Sequence, residues 1–227
     1  MSNNIQQQTT INIQEKANLI WAIADKLVGV YKPHEYGNVI LPMCVIKRFE
    51  DTLAPTKQAV LDTNAKLDKD GIVVKKGFLE TAAGQQLYNL SPFTFQSVLN
   101  DPENIKENFE SYLNHFSENV IDIIHRMDFD RELQKMADNN VLYLVIKEFC
   151  TSKAYLGADL VTSVDMGYIF EELVRKFSES YDEQAGAHFT ARDIIYLMAE
   201  LLVGNDEQKL EREGITASIL SLIHISE

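Results

Sequence analysis

Positive charge is in short supply: 21 Lys and Arg face 34 Asp and Glu, a formal net charge of −13. A protein that holds DNA by itself neutralises phosphates with Lys and Arg, so this balance excludes binding by overall charge. Cysteine is scarcer still. Cys44 and Cys150 sit far apart in apolar runs and match no zinc or redox spacing, which predicts buried free thiols in a reducing compartment. The five histidines (His34, His115, His125, His188 and His224) show no H-x-x-x-H or H-E-x-x-H spacing, so no metal site is expected. Nor is there a G-x-S-x-G elbow, a Walker-type loop or a paired-carboxylate signature. The opening MSNNIQQQTTINIQ has no basic n-region and no apolar h-region, and no apolar run approaches the ~18 residues of a membrane span. These absences predict a cytoplasmic protein with no membrane partner.

What is present is helix after helix. Hydrophobic residues make up 45% of the 227, enough for a real core. Residues 1–11 read as a polar tail. Asn12 and Glu15 have capping-box spacing before a helix with Ala17, Ile20, Trp21, Ala24, Leu27 and Val28 on one side. Tyr36–Asp51 reads as a buried helix, kinked or broken near Pro42, and Thr56–Lys69 as a polar one. Residues 70–77 (DGIVVKKG) read as a loop or short β excursion. From Phe78 to Asp138 short helices break at Ser91-Pro92 and Asp101-Pro102. Ile105, Phe109, Tyr112, Leu113 and Phe116 form one apolar stripe, and Val120, Ile121, Ile124 and Met127 another. Leu142–Phe149 is a strongly apolar helix candidate. Thr151–Val164, rich in small and polar residues, reads as a domain boundary. Over residues 1–57 six basic residues meet five acidic ones, so the acid surplus lies downstream and a DNA-facing patch belongs in the N-terminal part.

The most patterned stretch is Asp165–Val203. Met166, Ile169, Phe170, Leu173 and Phe177 recur at helical spacing, and Ile194, Leu197, Met198, Leu201 and Leu202 make a second stripe with Gly204 at a C-cap position. Between them Thr190 and Asp193 have capping-box spacing. A helix start of this kind presents free N–H groups and a positive dipole end, where an anionic ligand group can dock.

MGYIFEELVRKF followed by AGAHFTARDIIYLMAELL resembles the methyltransferase (M) subunit of type I restriction–modification systems. There a G-x-x-[FY]-E-x-L-[IL]-x-x-[FL] helix precedes a G-E-x-[FY]-T-P-R-x-[VI] segment. NLIWAIADKLVGVYKPHEYGNVILPMCVIKRFED resembles the opening domain of the same family, and FDRELQKM (Phe129–Met136) resembles a further family segment. The resemblance implies that Ala187, His188, Phe189, Thr190, Ala191 and Arg192 form half of an S-adenosyl-L-methionine site. Ala191 stands where the family carries proline; losing a residue that pre-sets the first helical turn should loosen the helix start. It also implies that the helical domain helps clasp double-stranded DNA within a complex with specificity (S) and restriction (R) subunits, with Lys47 and Arg48 as candidate phosphate contacts; a solvated helix face is the alternative reading of that pair.

The resemblance makes one further absence informative. The family holds a flipped-out adenine with an Asn/Asp-Pro-Pro-aromatic tetrapeptide, whose polar atoms accept the amino hydrogens and whose ring stacks on the base. No such tetrapeptide occurs in this sequence, and no G-x-G turn follows a strand. Gly214–Ile219 matches the lead into the family's first sheet strand, and Leu220–Glu227 departs from it, reading as a tail foreign to the family. The expected architecture is therefore mainly α. Residues 12–150 would form a helical bundle, 151–164 a linker, 165–219 the first helices of a truncated Rossmann-like methyltransferase domain, and 220–227 a non-native tail. The parent activity implied is methyl transfer from S-adenosyl-L-methionine to adenine N6 in DNA, with no catalytic residue and no activity in this chain. The alternative is a non-catalytic helical module that binds a partner subunit or DNA.

Overall fold

A computed structural model describes residues 16, 18, 19, 21–180 and 192–203. The chain divides into two units, Met1–Ala185 and Gly186–Glu227. Every regular element among the described residues is helical; pairing of the β type is limited to isolated bridges at Val28–Tyr31 and Asn89–Phe116. None of these helices is long and apolar enough to cross a membrane.

In the first unit the helices are α1 (Ala24–Leu27), α2 (Tyr36–Leu53), α3 (Lys57–Lys69), α4 (Lys76–Ala83), α5 (Phe95–Leu99), α6 (Ile105–Asn114), α7 (Glu118–Arg126), α8 (Phe129–Asp138), α9 (Leu142–Phe149) and α10 (Ser163–Ser180). The axis of the unit is α2. Val39, Ile40, Met43, Cys44 and Ile46 recur at helical spacing and all are buried. Of the kink or break expected at Pro42, the break does not occur: the helix is continuous through it. A proline inside a helix forfeits one backbone hydrogen bond, and here the apolar residues on either side bury enough surface to offset that loss.

Helix ends follow the sequence closely. Thr94 caps α5 through Ser97 N–H at 3.1 Å, and the Ser97 hydroxyl returns to Thr94 N–H at 2.7 Å. Gly84 ends α4 at φ +67°, with Gln85 N–H bonded to Glu80 O, the left-handed stop that glycine takes at little cost. Among non-glycine residues Asp128 and Asn140 turn at φ +51° and +57°, a conformation Asp and Asn tolerate better than most side chains.

The core is organised on Phe95. Its ring lies edge-on to Phe109 (centroids 5.4 Å), Tyr112 (5.9 Å) and Phe149 (6.4 Å), so α5, α6 and α9 meet at one aromatic cluster. Tyr112 continues it to Phe116 at 5.2 Å, and Phe116 to Phe49 on α2 at 6.2 Å. The two stripes read between residues 105 and 127 supply this core: Phe109, Tyr112, Leu113, Phe116, Val120 and Ile124 are buried, with Ile105, Ile121 and Met127 packed on its margin.

Residues 151–164, expected as a linker, are packed instead. Ala154, Leu156 and Val161 are buried in the same core, because small and apolar side chains fit where the composition suggested only flexibility. From there α10 lays Met166, Ile169 and Leu173 into the core against α2 and the Pro33–Glu35 turn. In the second unit the described element is α11 (Arg192–Val203), and Ile194, Ile195, Tyr196, Leu197, Met198, Leu201 and Leu202 are each 49–77% exposed. The polar tail, the Asn12 cap, the Thr190 cap, Gly204 and residues 214–227 lie outside the described residues.

Truncating Phe95 to Ala should destabilise the protein by about 3–5 kcal/mol in urea unfolding, through the cavity it leaves among three rings. Phe78→Ala, at an exposed position of α4, should cost within about 0.5 kcal/mol.

Candidate functional site

The residues that the resemblance assigns to the cofactor divide in the structure. Ala187, His188, Phe189, Thr190 and Ala191 lie outside the described residues; Arg192 opens α11, and its side chain is not among those described. Asp193 Oδ1 accepts from Ile194 N–H at 3.0 Å. No group of three or more His, Cys, Asp or Glu side chains among the described residues is arranged to hold a metal ion.

Lys47 and Arg48 are described in full; Lys47 is buried, Arg48 is half-buried, and both are engaged with protein groups. Lys47 is 8% exposed; its Nζ lies 2.6 Å from Asp51 Oδ1, one turn further along α2, and 5.6 Å from the centroid of the Phe95 ring. Asp51 Oδ2 accepts from Leu156 N–H at 2.8 Å. Arg48 Nη1 donates to the carbonyls of Leu156 and, at 2.6 Å, Val161. The Arg48 guanidinium is held below its ordinary pKa by burial, against the opposing pull of Asp51. A helix that presents Lys47, Arg48, Glu50 and Asp51 within five residues thus pairs Lys47 with Asp51 and turns Arg48, Glu50 and Asp51 onto backbone groups of the 151–164 segment and α5.

Sequence reasoning overlooked three partners in this polar seam. Glu50 receives Phe95 N–H on both carboxylate oxygens, at 3.1 and 3.0 Å, which ties the start of α5 to α2. Lys57 donates to Phe93 O at 2.7 Å, with its Nζ 5.4 Å from the Tyr112 ring. Lys16 donates to Tyr155 O at 2.7 Å and Lys153 O at 3.3 Å. Nothing in sequence spacing marks these contacts, since each joins residues at least 36 positions apart. Glu50, Lys57, Tyr112, Asn89, Thr56, Leu53 and Val60 surround a cavity of about 10 Å³, the size of one water. Burial raises the Glu50 carboxyl above its ordinary range, opposed by Lys47, Phe95 N–H and the Tyr112 hydroxyl, and burial lowers the Lys57 ammonium. The arrangement holds backbone in place and has room for no substrate.

The fold and its seam define a helical scaffold whose buried charges serve its own architecture. Residues 16–149 match the HsdM N-terminal domain. The chain belongs to that family, the N-terminal domains of type I restriction–modification methyltransferase (M) subunits. Searches of curated proteins and of solved structures returned no match.

Two outcomes follow from the seam. Asp51→Ala leaves the Lys47 ammonium buried without its partner, so unfolding should show a loss of about 3–5 kcal/mol; the double variant Lys47→Met/Asp51→Leu should lose less than Asp51→Ala alone. Glu50 has a raised folded pKa, so its ionisation opposes folding above the carboxylate range, and the stability it contributes is greatest at acid pH. Glu50→Gln, which keeps an acceptor for Phe95 N–H, should therefore gain stability over the parent at pH 7. That gain should shrink as pH falls through the carboxylate range, read from urea midpoints at stepped pH.

Proposed function

We propose that this chain serves a type I restriction–modification DNA methyltransferase as the helical part of its M subunit. On this reading the full assembly transfers a methyl group from S-adenosyl-L-methionine to adenine N6. The observation that carries it is the family match over residues 16–149. Residues Ala187–Arg192 would supply one wall of the cofactor pocket, with helix-start N–H groups at Thr190 toward the ligand. The apolar residues of α11 support this placement, since a helix apolar on most of its circumference belongs in the interior of a larger domain such as a methyltransferase sheet. Methyl transfer itself needs groups to hold the flipped adenine, and the sequence contains no Asn/Asp-Pro-Pro-aromatic tetrapeptide. The chain alone is therefore inactive.

The specificity subunit is the partner proposed for the bundle, and base reading is assigned to it because the cations of α2 are engaged internally. A non-catalytic helical module remains the second reading, favoured by the closed core that residues 23–173 build.

Two measurements test the proposal. The purified chain should incorporate no labelled methyl into DNA above background, and incorporation would overturn its assignment as a non-catalytic part. Co-expressed with the specificity subunit encoded at the same locus, it should co-purify as a stoichiometric complex. Failure to associate, with the bundle folded by circular dichroism, would overturn the assigned partner.

A further inference from the structure

A second concavity, of about 340 Å³, opens between α5 and α9. That volume falls in the range of small-molecule sites, ~300–1,000 Å³. Its walls come from two helices with matching spacing: Gln96 and Asn100, four apart on α5 and its C-cap, and Tyr143 and Lys147, four apart on α9. Residues four apart share one helical face, so each helix brings a pair of polar side chains to the same groove. Leu99, itself buried, and the half-buried Cys150 complete its lining.

The polar groups of this groove differ from those of the seam in being unengaged. Among the described residues no hydrogen bond or ion pair involves the side chains of Gln96, Asn100, Tyr143 or Lys147. Thr151, also on the rim, is committed to Glu148 O at 2.9 Å. In the same unit Lys16, Lys47, Lys57, Lys75 and Lys135 are all bonded to protein groups. A free ammonium, two free carboxamides and a free phenol thus meet at one depression.

Their chemistries complement one another. A carboxamide offers a donor and an acceptor side by side, the pattern that matches a purine's amino and ring-nitrogen edge. A tyrosine ring gives a flat surface on which a heteroaromatic base stacks. An ammonium takes a phosphate as a point charge. An isolated anion would use the lysine and leave the amides and the ring idle, whereas a purely apolar ligand would strand four polar groups. Cys150 adds no negative charge, because burial pushes its thiol up to about 11.

We propose that the groove between α5 and α9 is a binding site for a purine nucleotide, with Asn100 and Gln96 on the base edge, Tyr143 beneath the ring and Lys147 on the phosphate. It is independent of the methyl-transfer reading and uses none of the residues assigned to the cofactor.

The test titrates AMP into the intact chain, followed by calorimetry and by amide shifts in NMR, with adenosine and inorganic phosphate as comparison ligands. Saturable AMP binding is expected, with shifts confined to residues 96–100 and 143–151. Adenosine and inorganic phosphate should each bind at least about tenfold more weakly, since each keeps only part of the contacts. Lys147→Ala should weaken AMP by about tenfold or more, and Asn100→Ala should weaken AMP and adenosine alike. Both residues are exposed, so unchanged urea midpoints will show that the fold survives. No saturation at millimolar AMP overturns the proposal. So does inorganic phosphate binding as tightly as AMP, or AMP affinity unchanged in both variants.

Discussion

Asp51 is where the architecture is decided. Its carboxylate accepts Lys47 Nζ on one oxygen and Leu156 N–H on the other, so a single buried side chain joins α2 to a segment 105 residues away. Dehydrating an ion pair costs several kcal/mol per charge, and only full use of its hydrogen-bonding capacity offsets that. Arg48 applies the same logic one residue along, closing the carbonyls of Leu156 and Val161. Both N–H and C=O of Leu156 end on α2, which ties residues 151–164 to that helix. The helix that follows inherits their position, and Ile169 and Leu173 reach the core as a consequence.

Periodicity made most of this bundle legible before any coordinates. The aromatic stripe of α6, the apolar run of α9 and the polar α3 stand where spacing put them, since burial of one face fixes both the helix and its orientation. The misreadings have a common cause, which is that local signals give way to tertiary contacts. Pro42 should weaken α2, yet Val39, Ile40, Met43 and Cys44 are buried around it and the helix continues. The composition of 151–164 looks like a linker, yet its backbone polar groups are taken by side chains that are remote in sequence. Lys47 and Arg48 look like surface cations because a sequence shows charge without showing its partner. Glu50 and Lys57 could not have been singled out at all, since their contacts are with backbone atoms whose identity no residue code records.

This use of charge bears on function. In a chain with a net charge of −13, several of the few cations are occupied with backbone carbonyls: Lys16, Arg48 and Lys57 all end on them. Counterion release, the main source of affinity for duplex DNA, requires cations at the surface and free to meet phosphates. In the seam Lys16, Arg48 and Lys57 are instead held by protein carbonyls.

The two units also bury their apolar residues in opposite ways. In α10 the apolar residues divide: Met166, Ile169 and Leu173 are buried while Val164 and Val174 face outward, the pattern of a helix lying on a core that is already complete. In α11 no such division exists, for large apolar side chains at seven of the ten positions from Asp193 to Leu202 are exposed around its circumference. A helix of that composition gains its stability from burial on more than one side, so by itself it is a marginal structure. The family match over residues 16–149 lies within the first unit and stops short of both α10 and α11. The sequence from Ala185 to Leu202, which runs into α11, is in turn the part whose wording resembles the entrance to a cofactor site. On the proposed reading both properties have one origin: α11 was shaped by a sheet and a ligand, whereas the bundle was shaped by Phe95 and Asp51.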